Sequence, residues 1–439
     1  MRNKLLYLPI LLLISQWTTA RPRHTAVHID REANNLKESS NSTARKIRRI
    51  NSTVQDTPLP RTNPVTWADP EGFLWVFGGI GNDENNKFGC FGDLWKYYPM
   101  ADKWELIKGE PNKVTSDAKK PSAAPVGRRD SASWVDQNGN LWMFGGRTAG
   151  DLFHLDDMWI FELSGNKWVQ VTGSGETNVK PDYGTSKQYS KTSSPGSRSN
   201  SATWTDNDGN FWLFGGVSGS ENTVIEIYND LWMFNAEKRQ WRKMGGSETT
   251  NQLNGIKNEL DSGDEIFPSS RHGASAWYDQ KNNELWLYGG LGFGETKGQT
   301  GALSDLWKFE IESGKWILKN RPSGVNKEPV VSSWASFSKE NNPGKRNGTT
   351  HWVDGKGNIL LMGGHYTFSQ EETFIDSFLW KYDLEKEMWN VSTGLDTDFT
   401  SNGTVFKDQQ GTFYLFGGKR IDPQTKESYP VNSVKKLKD

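Results

Sequence analysis

The stretch Val135-Asp136-Gln137-Asn138-Gly139-Asn140-Leu141-Trp142 decides the fold, together with Gly145-Gly146 just beyond it. Asn-Gly between two apolar runs is a tight hairpin turn. Working outward, Trp134 precedes the turn and the doublet follows it. The unit therefore reads as an aromatic strand, a turn and an apolar strand ending in Gly-Gly. A second hairpin comes next. Asp157-Met158-Trp159-Ile160-Phe161 leads through Ser164-Gly165-Asn166 to Trp168, nine residues after Trp159. Apolar and polar residues alternate around these tryptophans, as in half-buried strands.

The same unit recurs along the chain, the strongest signal a sequence can give about architecture. The doublets are Gly78-Gly79, Gly145-Gly146, Gly215-Gly216, Gly289-Gly290, Gly363-Gly364 and Gly417-Gly418. Six residues before each first glycine stands Gly72, Gly139, Gly209, Asn283, Gly357 or Gly411, all residue types that tolerate a positive φ. Upstream stands Trp67, Trp134, Trp204, Trp277, Trp352 or Phe406. The third strand begins Asp93-Leu94-Trp95, Asp157-Met158-Trp159, Asp230-Leu231-Trp232, Asp305-Leu306-Trp307 and, in the fifth unit, Phe378-Leu379-Trp380. A further tryptophan follows nine positions later in all five.

Four strands per unit, six times over, predict an all-β chain: a six-bladed β-propeller with four antiparallel strands per blade. In the Gly-Gly doublet, the Asp-Leu-Trp-Lys-Tyr strand and the later tryptophan, the chain resembles the Kelch repeat family from about Arg61 onward. The resemblance implies a Kelch-type propeller and says little about chemistry, because propellers host unrelated functions.

The expected organisation is a signal peptide at 1–20, a polar disordered tail at 21–44 and one propeller over 45–439. Its repeats span about 61–105, 128–169, 198–242, 271–317, 346–390 and 400–439. Arg2 and Lys4, the apolar run Leu5–Ile14 and the small residues Thr18-Thr19-Ala20 form the secretory pattern, and the run is too short to span a bilayer. In unit six Lys435 stands where the other units have tryptophan, and the chain ends before a fourth strand. Residues 45–52 are expected to supply that strand, since an open edge exposes unpaired backbone. The rival reading of Lys46–Arg49 is a cleavage site.

Composition narrows the function classes. There are 52 Lys+Arg against 53 Asp+Glu, so the chain lacks the basic excess of a nucleic-acid or membrane-surface binder. The single cysteine, Cys90, cannot form an internal disulfide and reads as a tucked-in free thiol. Asn41, Asn51, Asn347, Asn390 and Asn402 head glycosylation sequons.

In an up-and-down blade the second-to-third and inter-blade loops share one face, and here they are the long ones. Long loops gathered together usually carry function. Arg61, Arg128, Arg198, Arg271 and Arg346 stand six residues before the first-strand aromatic, with Thr400 in the last unit. They either bond backbone carbonyls of a neighbouring blade or converge on a carboxylate or anionic ligand.

Catalytic readings are weaker. Kelch-type propellers resemble the catalytic domain of copper-radical galactose oxidases, which implies paired His, two Tyr and a Cys–Tyr cross-link. Here His24 and His28 lie in the tail, His154 and His365 in loops, and His272 and His351 in adjacent units. Asp206, Gly209 and Trp212 have the hairpin's own spacing rather than that of a sialidase box, and the Asp136 loop lacks a calcium loop's later ligands. The expectation is a secreted, glycosylated, non-catalytic module, without cofactor or metal. It would bind an extracellular protein or glycan, a structural role in an extracellular matrix being one form of that expectation. The alternative is a secreted oxidase or hydrolase on the same scaffold.

Overall fold

The computed structural model describes residues 56–439, apart from 116–122, 150–152, 220–224, 254–265, 297, 321–323, 365–377, 396–398, 423, 426 and 438–439. The 45–52 strand, the tail, the signal segment, Asn41, Asn51, His24, His28 and His365 lie outside the described residues.

The described chain is all-β, with one short 3-10 turn at Pro99–Ala101. Sheet one sets the pattern: Val65–Ala68, Leu74–Phe77, Leu94–Tyr98 and Lys103–Lys108 pair antiparallel in chain order. Four further four-stranded sheets repeat this order, with first strands Ala132–Val135, Ala202–Thr205, Ser275–Asp279 and Thr350–Val353. Sheet six pairs Phe399–Lys407 with Phe413–Ile421, which in turn pairs with both Ser428–Pro430 and Val434–Lys436. Among the described residues, no strand pairs with the far side of Val434–Lys436.

Aromatic residues pack between the sheets as well as within them. The tryptophan of a fourth strand meets the aromatic before the Gly-Gly doublet of the preceding sheet. Trp168 packs on Phe77 with centroids 5.3 Å apart, Trp241 on Phe144 at 5.2 Å, Trp316 on Phe214 at 5.3 Å and Trp389 on Tyr288 at 5.5 Å. Trp104 of sheet one meets Phe416 of sheet six at 5.3 Å, so the last sheet packs against the first. First-strand indoles add polar ties: Trp67 Nε1 donates to the Trp142 carbonyl at 2.8 Å, and Trp204 Nε1 to that of Trp286 at 3.0 Å. Trp67 and Trp204 thus bury their rings and satisfy their N–H groups in the same contact.

A second set of ties runs along the starts of the first strands. Asp130 N–H donates to the Asn63 carbonyl, Asn200 to Asp130, Gly273 to Asn200, Gly348 to Gly273 and Asn402 to Gly348, at 2.8 to 3.2 Å. All six residues have φ between 54° and 64°, and Asn, Asp and Gly are the types that accept it.

The register gives each sheet two ends. In sheet one, Val65, Phe77, Leu94 and Lys108 lie level, so the long connections leave from that end. Several are small hairpins, such as Ile80–Asn82 with Phe88–Phe91 and Leu291–Phe293 with Thr300–Ala302. Two inter-sheet loops depart from the expectation that all gather on this face. The loop before sheet three runs along that sheet's outer strand, where Ser190 bridges Trp241. The loop before sheet five does the same, with Ser338 bridging Trp389. Each covers a strand edge that would otherwise expose its backbone.

Candidate functional site

The five arginines are buried, between 0% and 4% exposed, and form the joint between consecutive sheets. Arg198 donates through Nη1 to the Gly215 carbonyl at 3.0 Å and to Asp230 Oδ1 at 2.7 Å, and through Nη2 to Asp230 Oδ2 at 3.0 Å. Arg61 grips Asp93, Arg128 grips Asp157 and Arg271 grips Asp305 in the same two-pronged way. Each aspartate also accepts the indole N–H two residues on, from Trp95, Trp159, Trp232 or Trp307. The arginine's own carbonyl accepts from the second glycine of the preceding sheet: Gly79 to Arg128, Gly146 to Arg198, Gly216 to Arg271 and Gly290 to Arg346. Arginine and doublet are therefore one device.

The electrostatics fit the geometry. Burial works against both charges, yet Arg128 holds the Asp157 carboxyl below its usual range. Burial likewise opposes the charge on Arg198, and Asp230 more than offsets it, raising that pKa. The reading of Arg61, Arg128, Arg198, Arg271 and Arg346 as ligand contacts is corrected here. The guanidiniums face an internal carboxylate or carbonyl and reach no solvent. The sequence carried the signal, because Asp93, Asp157, Asp230 and Asp305 recur as regularly as the arginines. In sheet five Phe378 occupies that place, and Arg346 donates to the Pro343 and Gly363 carbonyls.

The long-loop end presents a different set. Phe88, Phe153, Ile225 and Tyr429 each sit in the second-to-third connection of their sheet, in sheets one, two, three and six. They are 64%, 51%, 54% and 44% exposed. Trp334, in the loop before sheet five, is also exposed and packs edge-on against Phe378. A single exposed apolar side chain is ordinary, whereas a contiguous apolar patch marks an interaction surface.

The sequons separate in space. Asn347 is buried, and its Oδ1 lies 2.3 Å from where a Cβ on Gly273 would stand. That corrects its reading as a glycan acceptor, since a sugar there would have to displace the neighbouring sheet. Asn390 is half-buried in the outer strand Met388–Ser392, and Asn402 is half-buried in Phe399–Lys407.

Among the described residues the histidines do not converge. His154 is buried, with Nδ1 accepting from Gly219 N–H at 3.1 Å. His272 lies in the bridging strand Arg271–His272, and His351 lies beside Trp277 with ring centroids 6.3 Å apart. Among the described residues, no three His, Cys, Asp or Glu are placed to hold a metal ion. Asp136 accepts from the Asn138 and Asn140 amides and from Trp142 Nε1, so it organises the turn. Cys90 is buried with Sγ 4.0 Å from the Arg147 carbonyl, and burial pushes its thiol up to about 12. No helix among the described residues is long and apolar enough to cross a membrane.

No family model matches the chain. The chain is similar to Protein ral2 of Schizosaccharomyces pombe, 23% identical over 200 residues, which cover 43% of this chain and 28% of that protein. It is also similar to Mei4-dependent protein 6 of the same yeast, 24% identical over 165 residues, covering 35% of this chain and 20% of that protein. The matched stretch is thus between a fifth and a third of each relative's length.

Proposed function

We propose that the chain is a six-bladed Kelch-type β-propeller, secreted and N-glycosylated, that works as a non-catalytic binding module in the extracellular space. In this reading its partner is a protein or glycan, and a protein docks on the long-loop end. The fold part is supported by the six repeated sheets and by the packing of Trp104 on Phe416, which links last to first. Residues 45–52 would complete the last blade. Support for that comes from Asn432, two residues before the last strand, whose side chain donates to the Pro58 carbonyl. The chain at Pro58 therefore passes close to the connection that leads into Val434–Lys436.

The observation that carries the binding reading is the apolar set Phe88, Phe153, Ile225 and Tyr429 on equivalent loops. Interface cores are rich in such anchors, and truncating a central one typically costs over about 1 kcal/mol of binding. The test is capture of partners from native extracellular material by wild type and by a Phe88→Ser, Phe153→Ser, Ile225→Ser, Tyr429→Ser variant. Loss of a specific partner, with thermal stability retained, supports the site. Unchanged capture would move docking to another surface.

A further inference from the structure

A polar cleft of about 700 Å³ opens between sheets two and three, at the short-turn end opposite the apolar loops. That volume is within the range of small-ligand sites, about 300–1,000 Å³. At the two neighbouring junctions the side chains of the same turn position also cross between sheets. Between sheets one and two, Pro70 and Leu163 stand over Gly139. Between sheets three and four, Asn207 donates to the Tyr278 hydroxyl at 3.0 Å and to the Gln280 carbonyl at 3.1 Å. Between sheets two and three the equivalent Gln137 reaches toward Gly209, and both residues line the cleft.

The floor of the cleft is rigid. Asp136 holds Asn140 and Trp142, and Asn235 donates to Asn210 at 3.0 Å. These groups are committed to one another. The rim is not: the side chains of Gln137, Asn138, Ser164, Asp208, Glu237 and Arg239 are exposed and engage no partner among the described residues. They offer amide donors and acceptors, two carboxylate acceptors and one guanidinium donor.

We propose that this cleft is a second binding site, for a short neutral oligosaccharide segment. Each sugar hydroxyl both donates and accepts, so it uses a rim in which donors and acceptors alternate. The other ligand classes fit less well. An apolar ligand would leave these polar groups desolvated and unpaired. A metal ion needs converging carboxylates, and none converge among the described residues. Trp142 is buried and offers no face for stacking, so recognition rests on hydrogen bonds and affinity is modest, about millimolar. The site is independent of the long-loop reading.

The test uses the whole chain and linear trisaccharides of glucose, mannose and xylose as probes, followed by saturation-transfer NMR. At least one should receive magnetisation, and Asn138→Ala with Asp208→Ala should weaken its binding about tenfold. Both residues are exposed, so the thermal midpoint should stay in place, and Asp208→Asn should retain part of the binding. No transfer to any probe overturns the proposal. Transfer unaffected by the paired variants overturns it too, as does displacement by spermidine, which would mark the rim as a cation site. The Phe88→Ser, Phe153→Ser, Ile225→Ser, Tyr429→Ser variant should bind the trisaccharide normally, which separates the two sites.

Discussion

The guanidinium of Arg198 grips the carboxylate of Asp230 through two parallel hydrogen bonds of 2.7 and 3.0 Å, both side chains fully buried, 32 residues apart in the chain. Around this pair the doublet carbonyl of Gly215, the indole of Trp232 and the amide of Gly146 are all satisfied. A buried ion pair is only as good as its remaining hydrogen bonds, and here both Nη groups and the carboxylate are supplied while Arg198 Nε has no partner among the described residues.

Breaking that pair should be severe. Arg128→Glu with Arg198→Glu places two carboxylates against Asp157 and Asp230 in the interior. Removing one partner of a buried pair costs about 3–5 kcal/mol, and reversal costs more. Urea denaturation should show loss of cooperative folding or a large drop in midpoint. A folded variant of near wild-type stability would return these arginines to the surface.

Glycine at the doublet is required by contact as well as by conformation. A Cβ on Gly145, φ +63°, would stand 2.5 Å from the Arg198 carbonyl oxygen, whereas one on Gly175, φ +75°, would meet nothing. Gly175→Ala should cost only the left-handed penalty of about 1–2 kcal/mol. Gly145→Ala should cost clearly more in the same denaturation measurement. Equal costs would remove the close approach as the reason for the doublet.

Cys90 should be chemically silent in the native protein. Its thiol is pushed up to about 12 by burial, so it stays protonated, and therefore unreactive, across the physiological range. Ellman's reagent should label it only after unfolding. Labelling of the folded protein at pH 8, or an interchain disulfide on a non-reducing gel, would contradict this placement.

Glycan occupancy should divide the sequons. Mass spectrometry of secreted protein should find Asn347 unmodified, because it is packed against Gly273. Asn390 is half-buried on the outer strand Met388–Ser392 and is the sequon expected to be modified in preference to Asn347. A fully occupied Asn347 would show that the junction of sheets four and five is looser than the packing described.

The proposed last strand separates two truncations. Deleting 21–44 should leave the melting temperature nearly unchanged. Deleting 21–54 should lower it markedly, since an unpaired edge and lost packing both cost. Equal melting temperatures would exclude 45–52 as that strand.

Much of the fold was legible because its determinants are local and repeated. Asn138-Gly139 sets a turn, the alternation around Trp134 and Trp159 sets strands, and the nine-residue step to Trp168 sets the second hairpin. Six copies then fix the sheet count, and the Gly-Gly doublets mark the positive-φ positions. Direction was not legible. A spacing of 29 to 34 residues between arginine and aspartate does not say whether the guanidinium turns inward or out. Only the packed structure decides it, because the cost of burying a charge depends on which carboxylate and carbonyls surround it. The same holds for Asn347, whose tripeptide is local but whose burial comes from Gly273 on another sheet. It holds for the cleft too, whose lining residues Asn138 and Asp208 stand on turns of two different sheets that only the packing brings together.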